Sequence, residues 1–171
     1  VREFLAGLRE DLREDIRLLE SHKSTIALLD SNYAFVMAAA SKPVADSILS
    51  QHLFFDLPVT HANIGRYEGF KSSGKIGNIE NDSLKMNILV FYQQTLPNVG
   101  YSESYINSLQ TKIMDFQIER DSRQSLGDFA RSDKMLSLYN LGRHNFQVSI
   151  GDYTTAIALA NKIIGQIESG E

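Results

Sequence analysis

The sequence predicts an all-α protein, a helical bundle of three long helices with two or three short ones between them. Leu5, Leu12, Leu19, Ile26 and Tyr33 stand seven residues apart, with Leu8, Leu29 and Val36 on the intervening half-turns. Near the other end, Phe146, Tyr153, Ala160 and Ile167 make one row and Ile150, Ile157 and Ile164 a second. Both patterns are apolar stripes of amphipathic helices. No segment shows the clean period-two alternation of a half-buried strand, and no internal repeat is present.

The first helix is expected from Arg2 to about Ala40, roughly 55 to 60 Å at ~1.5 Å per residue. Glu10 with Arg13, Glu14 with Arg17 and Arg17 with Glu20 set opposite charges side by side on its wet face. Lys42-Pro43 ends it, because proline cannot donate into a helix and pushes its predecessor out of helical geometry. Pro43 then opens a helix from Val44 to Phe55, which Asp56-Leu57-Pro58 breaks. Thr60 is the expected N-cap of a short helix from His61 to about Lys71, stopped at Ser72-Ser73-Gly74. Lys75 to Asn81 reads as a tight connector.

Asp82 or Ser83 is the expected cap of the second long helix. Its apolar positions Leu84, Ile88, Phe91 and Thr95, then Ile106, Leu109, Ile113 and Phe116, keep one phase across Pro97. The shared phase favours one kinked helix over two helices joined at Asn98-Val99-Gly100. Glu119 to Ser125 reads as a surface loop, and the third long helix runs from Ser132-Asp133 to about Ser169. Gly142 and Gly151 lower its helix propensity, which marks them as expected close approaches.

With 171 residues, 43% of them hydrophobic, the chain is expected to form one domain over residues 1–171 with a real core. A net charge of −4, with both signs interspersed, provides no basic face to neutralise a phosphate backbone, so nucleic acid is not an expected partner. The absence of cysteine removes disulfides, thiolate nucleophiles and Cys-ligated zinc, and is compatible with an oxidising compartment. The first residue is Val rather than Met, which points to an upstream segment that has been removed. No stretch approaches the ~18 consecutive apolar residues needed to span a bilayer.

No motif selects a reaction. His22, His52, His61 and His144 have no histidine partner three or four residues away, so neither a metal nor a cofactor is expected. Gly74, Lys75 and Gly77 follow a helix rather than a strand, and Lys75-Ile76 lacks the hydroxyl of a P-loop. No Gly-x-Ser-x-Gly elbow is present. Pairs such as Glu10 with Asp11, or Asp46 with Asp56, read as surface acid. Tyr67, Phe70, Phe91 and Tyr92, and likewise Tyr33, Phe35 and Met37, read as core packing. Asp15 and His22 are polar positions on the inner seam one heptad apart. With Tyr33 and Arg143 they are the candidate lining of a ligand pocket.

Arg66 to Tyr92 resembles the centre of an uncharacterised bacterial family of small membrane-anchored proteins. Phe70 on an aromatic-bearing helix, Ser73-Gly74 at its end, Ile76, Ile79 and Asn81 in the connector, and Leu84 and Tyr92 in the following helix carry the likeness. The opening from Arg2 to Ile16 is similar to that family's first helix after its membrane span. The resemblance implies a basic N-terminus and one apolar span upstream, with this domain on the extracytoplasmic, periplasmic side of the cell membrane. It implies no activity and assigns no site residue.

The leading expectation is a non-enzymatic domain acting in protein interaction, self-association or complex assembly. A small-ligand sensor coupled to the membrane helix is the alternative. A cytosolic scaffold, or an enzyme whose site gathers distant residues, stands behind both.

Overall fold

The apolar rows at the start of the chain wind into α1, Arg2–Ala39, a single helix of 38 residues. This computed structural model describes residues 1–39, 44–53 and 57–170. Lys42-Pro43, the expected break before the second helix, and Phe55 and Asp56, its expected last residue and the start of the break after it, lie outside the described residues. Among the described residues the protein is all-helical, with no strand. Leu12, Leu19, Ile26 and Tyr33 are buried, as are Leu8, Leu29 and Val36 of the companion row.

The second helix is shorter than expected. It is α2, Asp46–Gln51, with Leu49 buried in its middle. The third starts later than expected, as α3, Gly65–Ser72. Thr60 is not its N-cap, because the Thr60 hydroxyl is hydrogen-bonded to His22 Nδ1 at 2.9 Å. Gly74, at φ 72°, takes the left-handed conformation that glycine adopts without steric cost, and a single 3₁₀ turn, Lys75–Asn78, follows.

The cap of α4, Asp82–Val90, is Asn81, one residue before the expected pair. Its side chain accepts from the Leu84 N–H at 2.7 Å. Asn81→Ala is expected to cost about 1 kcal/mol of unfolding free energy, read from urea denaturation. Asp82→Ala should cost less, since Asp82 is exposed and paired with Lys85 at 2.7 Å across one turn. A result in which the Asp82 variant loses more than the Asn81 variant would contradict the assignment.

The helical run continues without a gap from α4 through a π turn, Phe91–Thr95, into α5, Leu96–Glu119. This agrees with the single phase read across Pro97. The π turn falls just ahead of the proline, where the Leu96 N–H reaches back to the Phe91 carbonyl. Proline supplies no N–H and its ring crowds the preceding turn, and one wider turn relieves that conflict without ending the helix.

The polar loop after Glu119 leads into a short helix that periodicity did not indicate, α6, Leu126–Ala130. Ser125 Oγ accepts from the Asp128 N–H at 3.0 Å. Asp46, which looked like ordinary surface acid, accepts from the Leu126 and Gly127 N–H groups at 3.0 Å each. The last helix, α7, runs Asp133–Ser169.

By packing, the chain divides into two compact units. The first gathers Val1–Lys23, Val59–Tyr101 and Gly151–Glu171, and the second Ser24–Pro58 and Ser102–Ile150. The core of the first centres on Leu12, Leu19, Ile88, Phe91, Tyr153 and Ala160, and that of the second on Ile26, Leu29, Tyr33, Ile113, Tyr139 and Phe146.

Candidate functional site

The first unit contains a buried carboxylate beneath an irregular segment. Val59–Ile64, between α2 and α3, carries no helix or strand and lies as a strap on α1. Asp15 is 1% exposed. Its Oδ1 accepts from the Asn63 backbone N–H at 2.9 Å and from Asn63 Nδ2 at 3.1 Å. Glu14 Oε2, one residue before, accepts from the same Nδ2 at 3.3 Å. Asp15 Oδ2 is buried and has no hydrogen-bond partner among the described residues.

Burial pushes the Asp15 carboxyl pKa up. The Asn63 hydrogen bonds pull the other way, and the negative charges of Asp11 and Glu14 raise it further. The folded state therefore holds this proton more tightly than the unfolded chain does. The resulting stabilisation is complete below the ordinary aspartate value of about 3.9 and is lost as pH rises through the raised folded value.

Aromatic rings close the site. Tyr67 of α3 stacks on Tyr92 of the π turn, with centroids 4.3 Å apart and an 8° interplanar angle, and Gln93 Nε2 donates to the Tyr67 hydroxyl at 2.8 Å. The Tyr92 hydroxyl is buried without a partner among the described residues. Burial first, then the negative charges of Asp15 and Asp11, drive its pKa up, so it is a neutral group. Arg66 Nε donates to Asp11 Oδ2 at 2.8 Å, and its guanidinium lies against Gly7, where a Cβ would collide with it. Phe70, grouped by sequence with these rings, instead stacks on Phe4 at 3.7 Å.

His22 is half-buried, and besides Thr60 it meets Tyr153 edge-on at 6.4 Å. The two polar seam residues thus share one task, since Asp15 and His22 both hold the strap. Tyr33 and Arg143 belong to the second unit. The Tyr33 hydroxyl donates to Gln110 Oε1 at 3.0 Å, and Gln110 Nε2 donates to the Leu53 carbonyl at 3.4 Å. Burial raises the Tyr33 pKa, which keeps the ring a neutral donor. Arg143 Nε donates to Asp30 Oδ1 at 2.8 Å, and Gln147 Nε2 donates to Asp30 Oδ2 at 3.0 Å. No hydrogen bond links Tyr33 to Arg143 or Asp15 to His22 among those described; each has a different protein partner.

Asn63 escaped the sequence reading because its partner lies 48 residues away. Sequence gives a helical position's own periodicity but not which distant residue arrives there. A recess of about 770 Å³ in the first unit, lined by Leu5, Ala6 and Ile167 with Arg2 and Arg9, includes none of the four candidate residues. Among the described residues no group of three or more His, Asp or Glu side chains is placed to hold a metal ion, and no helix is long and apolar enough to cross a membrane. Comparison with known proteins finds no matching family model, no matching curated protein and no matching solved structure.

Proposed function

We propose that this chain is a non-enzymatic helical domain, a bundle of three long helical runs, which acts by docking another protein or a second copy of itself. The supporting observation is a set of exposed apolar side chains on the second unit. Leu141 and Val148 are 42% and 47% exposed and stand one heptad apart, on the same side of α7. Next to Val148, the Ser149 hydroxyl accepts from Ser102 of α5 at 3.3 Å. One turn beyond Ser102, Tyr105 is 47% exposed. Isolated exposed apolar residues are ordinary, but three on two helices of one unit, two of them one heptad apart, suit a partner that covers them. In this reading an upstream span holds the domain on the extracytoplasmic side of the cell membrane, a placement supported by the resemblance of Arg66 to Tyr92 and by the lack of cysteine.

The test is the double variant Leu141→Glu, Val148→Glu. It is expected to abolish self-association in sedimentation, or photocrosslinking from a probe at position 105 in membranes. Helicity and Tm should hardly change, because substitutions at exposed sites usually cost within about 0.5 kcal/mol. Association and crosslinking that survive both charges would sink the proposal.

A second reading, the ligand sensor, is favoured by the buried polar atoms of Asp15 and Tyr92 that have no partner among the described residues. Its test is a thermal-shift screen against small metabolites, where a compound at a hundred times its Kd adds about 2.7 kcal/mol.

A further inference from the structure

We propose that the Val59–Ile64 strap is an acid-closed latch, held on α1 by protonated Asp15 and released when Asp15 ionises. It goes beyond both functional readings and depends on neither.

The strap has little apolar holding. No residue from 57 to 66 is buried, and Val59 and Ile64 are 52% and 51% exposed. The Ile64 N–H is bonded to the Ala62 carbonyl at 3.0 Å, inside the strap itself. Lifting the strap therefore uncovers little hydrophobic surface, and such segments open locally at a small fraction of the global unfolding free energy. Its attachment to α1 runs through the polar hooks of Thr60 on His22 and Asn63 on Asp15.

The groups facing Asp15 decide which protonation state closes the latch. From its own helix come the like charges of Asp11 and Glu14. On α3, Arg66 is engaged with Asp11 and Tyr67 is stacked on Tyr92. The π turn brings Tyr92, whose pKa the Asp15 charge helps to raise and whose hydroxyl is buried without a partner among the described residues. His61 of the strap is exposed. Arg66 is thus already paired with another carboxylate. A charge on Asp15 is stabilised by the two Asn63 donors while Oδ2 stays unpartnered, and water reaches it once the strap lifts. Because burial raises the Asp15 pKa in the closed form, the closed form binds the proton more tightly than the open one. The opening constant then climbs by up to about tenfold per pH unit between the ordinary aspartate value and the raised one, and is flat on either side.

Amide hydrogen exchange of the full chain reads this directly, since the Asn63 N–H donates to Asp15 itself. After correction for intrinsic exchange, its protection should fall as pH rises above the ordinary aspartate value of about 3.9, by up to about tenfold per unit, and then level off. Buried α1 amides such as Leu12 and Leu19 should keep theirs. Asp15→Asn, near-isosteric and uncharged, should leave Asn63 protection independent of pH. Protection at Asn63 that is flat in the wild type, that falls equally in Asp15→Asn, or that falls in step with Leu12 and Leu19 would overturn the latch.

Discussion

Phe91→Ala is expected to lower the unfolding free energy by about 3–5 kcal/mol, the range for removing a fully enclosed aromatic ring. Phe91 is 0% exposed and sets its edge against Tyr92 at 5.0 Å and 90°. Tyr92 in turn stacks on Tyr67, so the ring anchors the π turn to α3 as well as filling the core. Truncation leaves a void between elements that cannot simply collapse, because the wide turn ahead of Pro97 fixes the backbone there. The measurement is the urea midpoint, with an unchanged m-value showing that stability rather than denatured-state compactness has moved. Phe35→Ala is the control. Sequence groups Phe35 with the core residue Tyr33, yet Phe35 is 39% exposed and lies against His52 at 4.2 Å, so its loss should be well below that of Phe91. Equal losses would refute the distinction between the two rings.

The parts of this fold that were legible are those written in local periodicity. The row Leu5, Leu12, Leu19, Ile26, Tyr33 is buried except for the half-buried Leu5 at its start, and α7 begins and ends where expected. The second row of α7 shows where periodicity misleads. Ile150, Ile157 and Ile164 are half-buried, while the enclosed positions beside Phe146 and Tyr153 are Gly142, Ser149, Ala156 and Ile163. Hydropathy ranks isoleucine above glycine and serine, whereas at Gly142, Ser149 and Ala156 the enclosed positions hold small side chains. Asp46 and Thr60 were misread for another reason. Each serves a backbone or ring that arrives from far along the chain, Asp46 at residues 126 and 127 and Thr60 at His22. The same blindness hid the strap. Asp15 and His22 were visible as polar seam positions, but that both hold one irregular segment is a tertiary fact.

Gly142 and Gly151 carry the same sequence signal, a glycine inside α7, and are expected to answer substitution with opposite signs. A Cβ at Gly142 would lie 2.8 Å from Cε2 and 3.1 Å from Cδ2 of Tyr33, whereas nothing comes within 4 Å of one at Gly151. Gly151→Ala should therefore stabilise by about 0.5–1 kcal/mol through helix propensity alone. At Gly142 that gain meets a ring that cannot easily move. Tyr33 is tied at its hydroxyl to Gln110 and flanked edge-on by Tyr139 at 5.1 Å and Phe146 at 5.0 Å. Gly142→Val should consequently lose about 1–3 kcal/mol, the usual cost of overpacking. For a domain of this size each kcal/mol moves Tm by roughly 2–4 °C, so the two variants should separate clearly in one thermal scan. Tyr33→Phe in the Gly142→Val background frees the ring from Gln110 and lets it yield, so the valine penalty should shrink there even though the hydrogen bond is gone. A penalty that stays constant in that background would show that the backbone of α7, and not the tethered ring, resists the added side chain.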